Sequence, residues 1–143
     1  MHRRFAIGSL LLCVTLALPT CLFAADLPPV PNPSGVQAPA ADVPPEMAAF
    51  SGVWLGPIGK VQVGVVVQEI AADGTVRGIY AWGALPGIYD SGSEAFTGEI
   101  DGNELSLELS WGADVDLEAQ TATALKATYH EAGKTYTGRL TKK

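Results

Sequence analysis

The chain has 143 residues, 48% of them hydrophobic and 17% charged, with a formal net charge of −6. That length holds one modest domain with one core, and the apolar content excludes a charged disordered tail. With 2 Cys a disulfide-dense scaffold is excluded, and the acidic balance argues against nucleic acid or anionic lipid, whose binding relies on clustered Lys and Arg.

In chain order, His2, Arg3 and Arg4 give a basic start, residues 5–18 form a nearly uncharged apolar run, and Leu22-Phe23-Ala24-Ala25 closes it. This is the tripartite form of a secretory signal over residues 1–25. A retained anchor fits less well, because the run is shorter than the roughly 20 residues a bilayer demands and Pro19 breaks it. A second reading takes Leu18-Pro19-Thr20-Cys21 as a degenerate lipobox, although Pro19 and Thr20 depart from that pattern. The mature chain would then be tethered to a membrane through a lipidated Cys21. The expected location is periplasmic or extracellular, or lipid-anchored in the second reading. Cys13 and Cys21 both fall within or at the edge of the leader, so the folded part has no thiol for catalysis or zinc.

Residues 26–48 hold most of the 10 prolines and no aromatic residue, which reads as a Pro-rich disordered linker. It serves either as a spacer from an envelope surface or as a plain N-terminal tail.

From residue 49 onward, period-two alternation separated by Gly-containing turns predicts strands. A short strand at residues 52–55 is followed by residues 60–70, with Val61, Val63, Val65 and Val67 on one face and Lys60, Gln62 and Gln68 on the other. The inward set continues through Val76, Gly78, Tyr80 and Trp82, then Phe96, Gly98 and Ile100, then Leu105, Leu107, Leu109 and Trp111. A short strand at residues 114–117 precedes Thr123, Leu125, Ala127 and Tyr129, and Tyr136, Gly138 and Leu140 complete it. Asp73-Gly74 and Asp101-Gly102 read as type I′ hairpin turns, with a weaker signal at Ala132-Gly133. Eight one-faced strands joined by tight turns bury their apolar faces and remove free edges by closing into an all-β antiparallel up-and-down barrel, over residues 49–143. A two-sheet β-sandwich is the alternative. Mid-strand Gly64, Gly78, Gly98 and Gly138 permit sharp coiling and favour the barrel.

Few residues here can carry chemistry. His130 is the one histidine past the leader and falls on the outward face, short of the ligand set of a catalytic zinc, and no G-x-S-x-G elbow is present. Asp114, Asp116 and Glu118 share one strand face, where a hard cation could be held by oxygen, but a solvated outer face explains them better. Glu99, Asp101, Glu104 and Glu108 permit a carboxylate-pair glycosidase in principle, but they lie on outward faces or turns and nothing in the sequence identifies one with a raised pKa. No cofactor is implied.

The aromatic residues point inward instead. Trp54, Tyr80, Trp82, Phe96, Trp111, Tyr129 and Tyr136 fall on the inward face, and Tyr89 lies on the one long connection, residues 84–93. In an open-mouthed barrel such rings line an apolar pocket. In a barrel of short strands they fill the core, which is the simpler expectation. The candidate ligand-binding residues are Trp54, Tyr80, Trp82, Tyr89, Trp111 and Tyr129, with a cavity expected beside Trp82 and Tyr89.

The succession SGVWLG after Phe50, DGTVRGIYAWG from Asp73, FTGEIDGNELSLEL from Phe96, LKATY at 125–129 and YTGRLTK near the end resembles the small lipocalin-like β-barrel modules of bacterial exported proteins. Some of these resemble modules attached to α/β-hydrolase-type enzymes. The likeness covers residues 50–143, and its most specific element is Ile79-Tyr80-Ala81-Trp82-Gly83. A more distant likeness to avidin-type barrels rests on Gly52 to Trp54 and Gly78 to Tyr80, without the later tryptophans that would imply biotin. The resemblance implies a fold more than an activity.

The expectation is therefore a non-enzymatic exported barrel that binds a small apolar or amphipathic molecule. The alternative is an envelope protein–protein interaction module, with outward Val66 and Ile79 as its first candidate patch, and a weak hydrolase ranks third.

Overall fold

The computed structural model describes residues 27–31 and 35–143. The expected leader, with Cys13, Cys21 and the lipobox reading, lies outside the described residues.

A short helix α1 (Pro45–Ala48) precedes eight strands: β1 (Gly52–Ile58), β2 (Val61–Ile70), β3 (Thr75–Trp82), β4 (Gly92–Asp101), β5 (Glu104–Glu108), β6 (Asp114–Thr121), β7 (Ala124–Glu131) and β8 (Lys134–Lys142). Each pairs antiparallel with the next, and β8 returns to β1 through Trp54↔Lys142 and Ile58↔Gly138, closing the barrel. That last pairing excludes the two-sheet sandwich. The closing seam depends on missing side chains: a Cβ on Gly138 would overlap the Pro57 carbonyl, and one on Gly56 the Arg139 carbonyl. Only glycine lets the two strands approach so closely.

The turn chemistry differs from the expectation at two of three hairpins. Positive φ at both central residues, the I′ requirement, occurs at Ala132 (48°) and Gly133 (77°), the pair with the weaker sequence signal. At Asp101-Gly102 the loop residues are Gly102 and Asn103, and only Gly102 has positive φ (62°), as in a II′ turn. At Asp73-Gly74 the connection is longer: Gly74 N–H donates to the Ala71 carbonyl at 3.0 Å, and Thr75 N–H donates to Asp73 Oδ1 at 2.9 Å. Asp73 therefore acts through its side chain, not through a left-handed backbone.

Alternation then sorts the side chains. Val65, Val67, Val76, Leu105, Leu117, Leu125 and Leu140 are buried inside, while Arg77, Thr97, Glu99, Glu104, Lys126 and Arg139 point outward to water. This is the reverse of a membrane-spanning barrel, whose lipid-facing surface is apolar. Each large aliphatic side chain fully buried in this way stabilises the fold by about 1.5–3 kcal/mol.

The segment expected to be a free linker packs against the barrel over its described residues. Val43 joins the core at 6% exposure, with Met47 and Phe50 beside it, and Gln37 N–H donates to the Gln68 carbonyl at 2.8 Å. That carbonyl is available because Gln68 sits at a β-bulge, where β2 shifts register against β3 between Val67 and Glu69. Farther along, Val30 Cγ2 lies 3.3 Å from the point where a Cβ on Gly64 would stand, and Pro28 is buried. Proline density sets an extended conformation, but Val30 and Val43 supply apolar contacts that hold it down. The folded unit thus begins before residue 49.

Candidate functional site: the open end of the barrel

An up-and-down meander places alternate turns at opposite ends. At one end α1, Phe50 and Trp54 form a plug: Trp54 is 1% exposed, its indole N–H donates to the Phe50 carbonyl at 2.8 Å, and Lys142 Nζ lies 5.1 Å from its ring centroid. Here the expectation of a filled interior holds.

At the other end a cavity of about 950 Å³ opens. Ile58, Val61 and Val63 from β1 and β2 form an aliphatic wall, and Tyr80 and Trp82 from β3 continue it. Tyr129 and Glu131 from β7 and Lys134 and Tyr136 from β8 face them, with Lys60 at the rim. The volume lies in the range of small-molecule pockets, which are mostly apolar with a few placed polar groups.

The rings are held by specific contacts. Trp82 and Trp111 meet edge to face, with centroids 5.1 Å apart at 78°. Trp111 Nε1–H donates to the Tyr129 hydroxyl at 2.9 Å, and that hydroxyl donates to Glu131 Oε2 at 3.2 Å. This chain ties the β5–β6 turn to β7 across the mouth. Trp82 Nε1–H donates to the Asp90 carbonyl at 3.0 Å, which pins the long β3–β4 connection. The connection also folds on itself through the Leu85↔Tyr89 bridge, so Leu85, Ile88 and Tyr89 overhang the cavity. Ile88, Tyr89, Trp111 and Tyr136 are the large apolar residues exposed around this rim.

Burial pushes the Tyr80 hydroxyl well above the usual tyrosine range, with Tyr129 and Tyr89 nearby adding to it. Burial also raises Tyr129, where the Trp111 hydrogen bond opposes the shift and Glu131 adds to it. Tyr89 is raised by burial, and further by Glu131. All three keep their protons at neutral pH and present neutral hydroxyls.

The structure brings Tyr80, Trp82, Tyr89, Trp111 and Tyr129 together around the cavity, and it leaves Trp54 at the opposite, plugged end. Trp54 shares the inward face but not the depth, since it stands near the start of β1 while the cavity lies near its end. Trp111 is not on a strand, as β5 ends at Glu108. Hydrogen bonds from Leu109 N–H to Ala113 and from Gly112 N–H to Leu109 close a turn, leaving Trp111 42% exposed at the rim. Glu94 escaped the alternation reading because β4 starts earlier than expected. It pairs with Tyr80 on the inward face, and its carboxylate accepts from Ser110 N–H at 2.8 Å and Ser110 Oγ–H at 2.6 Å. Extending the Phe96, Gly98, Ile100 parity back by one step would have found it.

Outside the barrel, Asp116 accepts from Ser106 Oγ–H at 2.8 Å and lies 3.8 Å from His130 Nε2, on the solvent face away from the cavity. The expected exposed patch at Val66 and Ile79 is not open: Val66 and its outward neighbour Ala81 are 0% exposed and Ile79 is half-buried, alongside the strip where Val30 covers Gly64.

Fold and site together define a closed eight-stranded antiparallel barrel, plugged at one end and carrying an aromatic-lined cavity at the other. No family model and no curated protein matches this chain. Among solved structures it is similar to a designed protein titled "De novo design of a fluorescence-activating beta barrel", with TM-score 0.52 and 12% identity over 66% of this chain and 94% of that one. At that identity the similarity speaks for the fold, and the lipocalin-like likeness rests on the sequence motifs alone.

Proposed function

We propose that this protein binds a small apolar or amphipathic molecule in the open end of its barrel, without catalysing a reaction on it, after export to the bacterial envelope. The observation that carries the reading is the cavity of about 950 Å³ walled by Tyr80, Trp82, Trp111 and Tyr129. Its polar groups are neutral hydroxyls inside and Lys60, Glu131 and Lys134 at the rim, a distribution that suits an apolar body with a polar edge. A hydrolytic role finds little support, because His130 hydrogen-bonds Thr135 on the outer face at 3.0 Å. Export rests on the leader-like residues 1–25, and an envelope partner remains the alternative, with the exposed rim a better candidate than the covered Val66 strip.

The designed neighbour is described as fluorescence-activating, so an environment-sensitive dye is a natural first probe. Native mass spectrometry of protein purified from its own source tests the reading. A retained non-covalent adduct that leaves on mild activation supports it. An adduct-free protein that also fails to bind apolar dyes contradicts it. The same intact mass reports cleavage near residue 25 or a lipid on Cys21.

A further inference from the structure

The ligand class can be narrowed by asking which polar groups in the cavity are already satisfied. This step rests on the binding reading above. Trp82 N–H is taken by the Asp90 carbonyl, Trp111 N–H by Tyr129, the Tyr129 hydrogen by Glu131, and Glu94 by Ser110. Tyr80 differs. No described protein group hydrogen-bonds its hydroxyl, which is equally true of Tyr89 and Tyr136, but those two are exposed at the rim whereas Tyr80 is 3% exposed and faces the cavity from within. Among the described residues no sealed side-chain polar atom lacks a partner, so the Tyr80 hydroxyl stands open to the cavity and can be satisfied by whatever fills it.

We propose that the cavity selects flat, non-anionic ring molecules carrying one oxygen function, a phenol or ketone, and that Tyr80 sets this preference by hydrogen-bonding that oxygen. The surroundings restrict the ligand in three ways. First, Ile58 and Val63 line the cavity and are buried, Glu94 is the inward cross-strand partner of Tyr80, and Lys60 and Lys134 are exposed at the rim, so an anion placed beside Tyr80 would lose hydration without gaining a countercharge. Second, Tyr80 remains protonated, so its hydroxyl can both donate to a ketone and accept from a phenol. Third, the Tyr80 and Trp82 rings stand 6.3 Å apart at 33°, and Trp111 meets Trp82 edge-on. These faces and edges match a flat π-system better than a flexible chain.

The test compares naphthalene, 2-naphthol and naphthalene-2-sulfonate by fluorescence titration against the full folded domain and against Tyr80→Phe. Because naphthalene is the more hydrophobic, the informative quantity is the ratio of 2-naphthol to naphthalene affinity. That ratio should fall about fivefold in Tyr80→Phe, the scale of one net hydrogen bond. Naphthalene affinity and the urea midpoint should not change, since no protein group loses a partner. An unchanged ratio would overturn the role of Tyr80. Tightest binding by the sulfonate would overturn it too, by moving recognition to the rim lysines. If no probe binds the unmodified protein, the cavity reading itself fails, an outcome distinct from both.

Discussion

At the plugged end, Phe50, Trp54, Leu117 and Leu140 are sealed from water. At the open end Trp82, Trp111, Tyr129 and Tyr136 surround a cavity, three of them hydrogen-bonded through their polar tips. One alternating pattern built both. The difference lies in what caps each end: Val43 joins the core at one, with Met47 and Ala48 of α1 packed against it, whereas the β3–β4 connection overhangs the other. Apolar side chains near the capped end are packed into the core, and those near the uncapped end line the cavity.

That contrast should appear as separable effects of substitution. Trp54→Ala should cost about 3–5 kcal/mol in urea denaturation, as expected for removing a buried indole, while the folded fraction binds dye unchanged. Val43→Ala should cost about 2 kcal/mol, from lost methyl burial plus a void, and a loss near zero would show that the N-terminal segment only rests on the barrel. Trp111→Ala should behave oppositely. Because the side chain is 42% exposed, stability should fall by about 1 kcal/mol or less, whereas dye affinity should fall roughly tenfold by the same titration, through loss of an aromatic wall and of the Tyr129 tie.

The smallest effect at neutral pH concerns the tyrosines. Their folded pKa values are raised above the ordinary 10.0, so the folded state holds protons that the unfolded chain releases. Their contribution to stability is complete below pH 10 and is lost as pH rises through the folded values. Denaturation midpoints should therefore decline above about pH 10, and Tyr80→Phe should flatten that decline. A decline that begins below pH 9 would point to other groups.

The strand alternation carried the barrel, because a period-two pattern with one apolar face per strand has few ways to bury itself. Position along the barrel axis was harder to read. Trp54 and Trp82 look alike in the pattern, yet one is plug and the other cavity wall, because parity fixes the face and not the depth. Trp111 continued the parity of Leu105, Leu107 and Leu109 on paper, but the 109–113 turn carried it to the rim. The packing of Val30 and Val43 was hidden inside a composition that reads as disorder, and the Gly64 position that Val30 covers is distant in sequence. Empty volume has no sequence signature of its own.

The three tryptophans offer the sharpest test, since one marks the plug and two mark the cavity. In a 1H–15N NMR titration with a neutral apolar dye such as Nile red, the indole N–H signals of Trp82 and Trp111 should shift and saturate together, while that of Trp54 stays in place. Equal movement of all three signals, or none at saturating dye, would contradict a barrel that is closed at one end and receptive at the other.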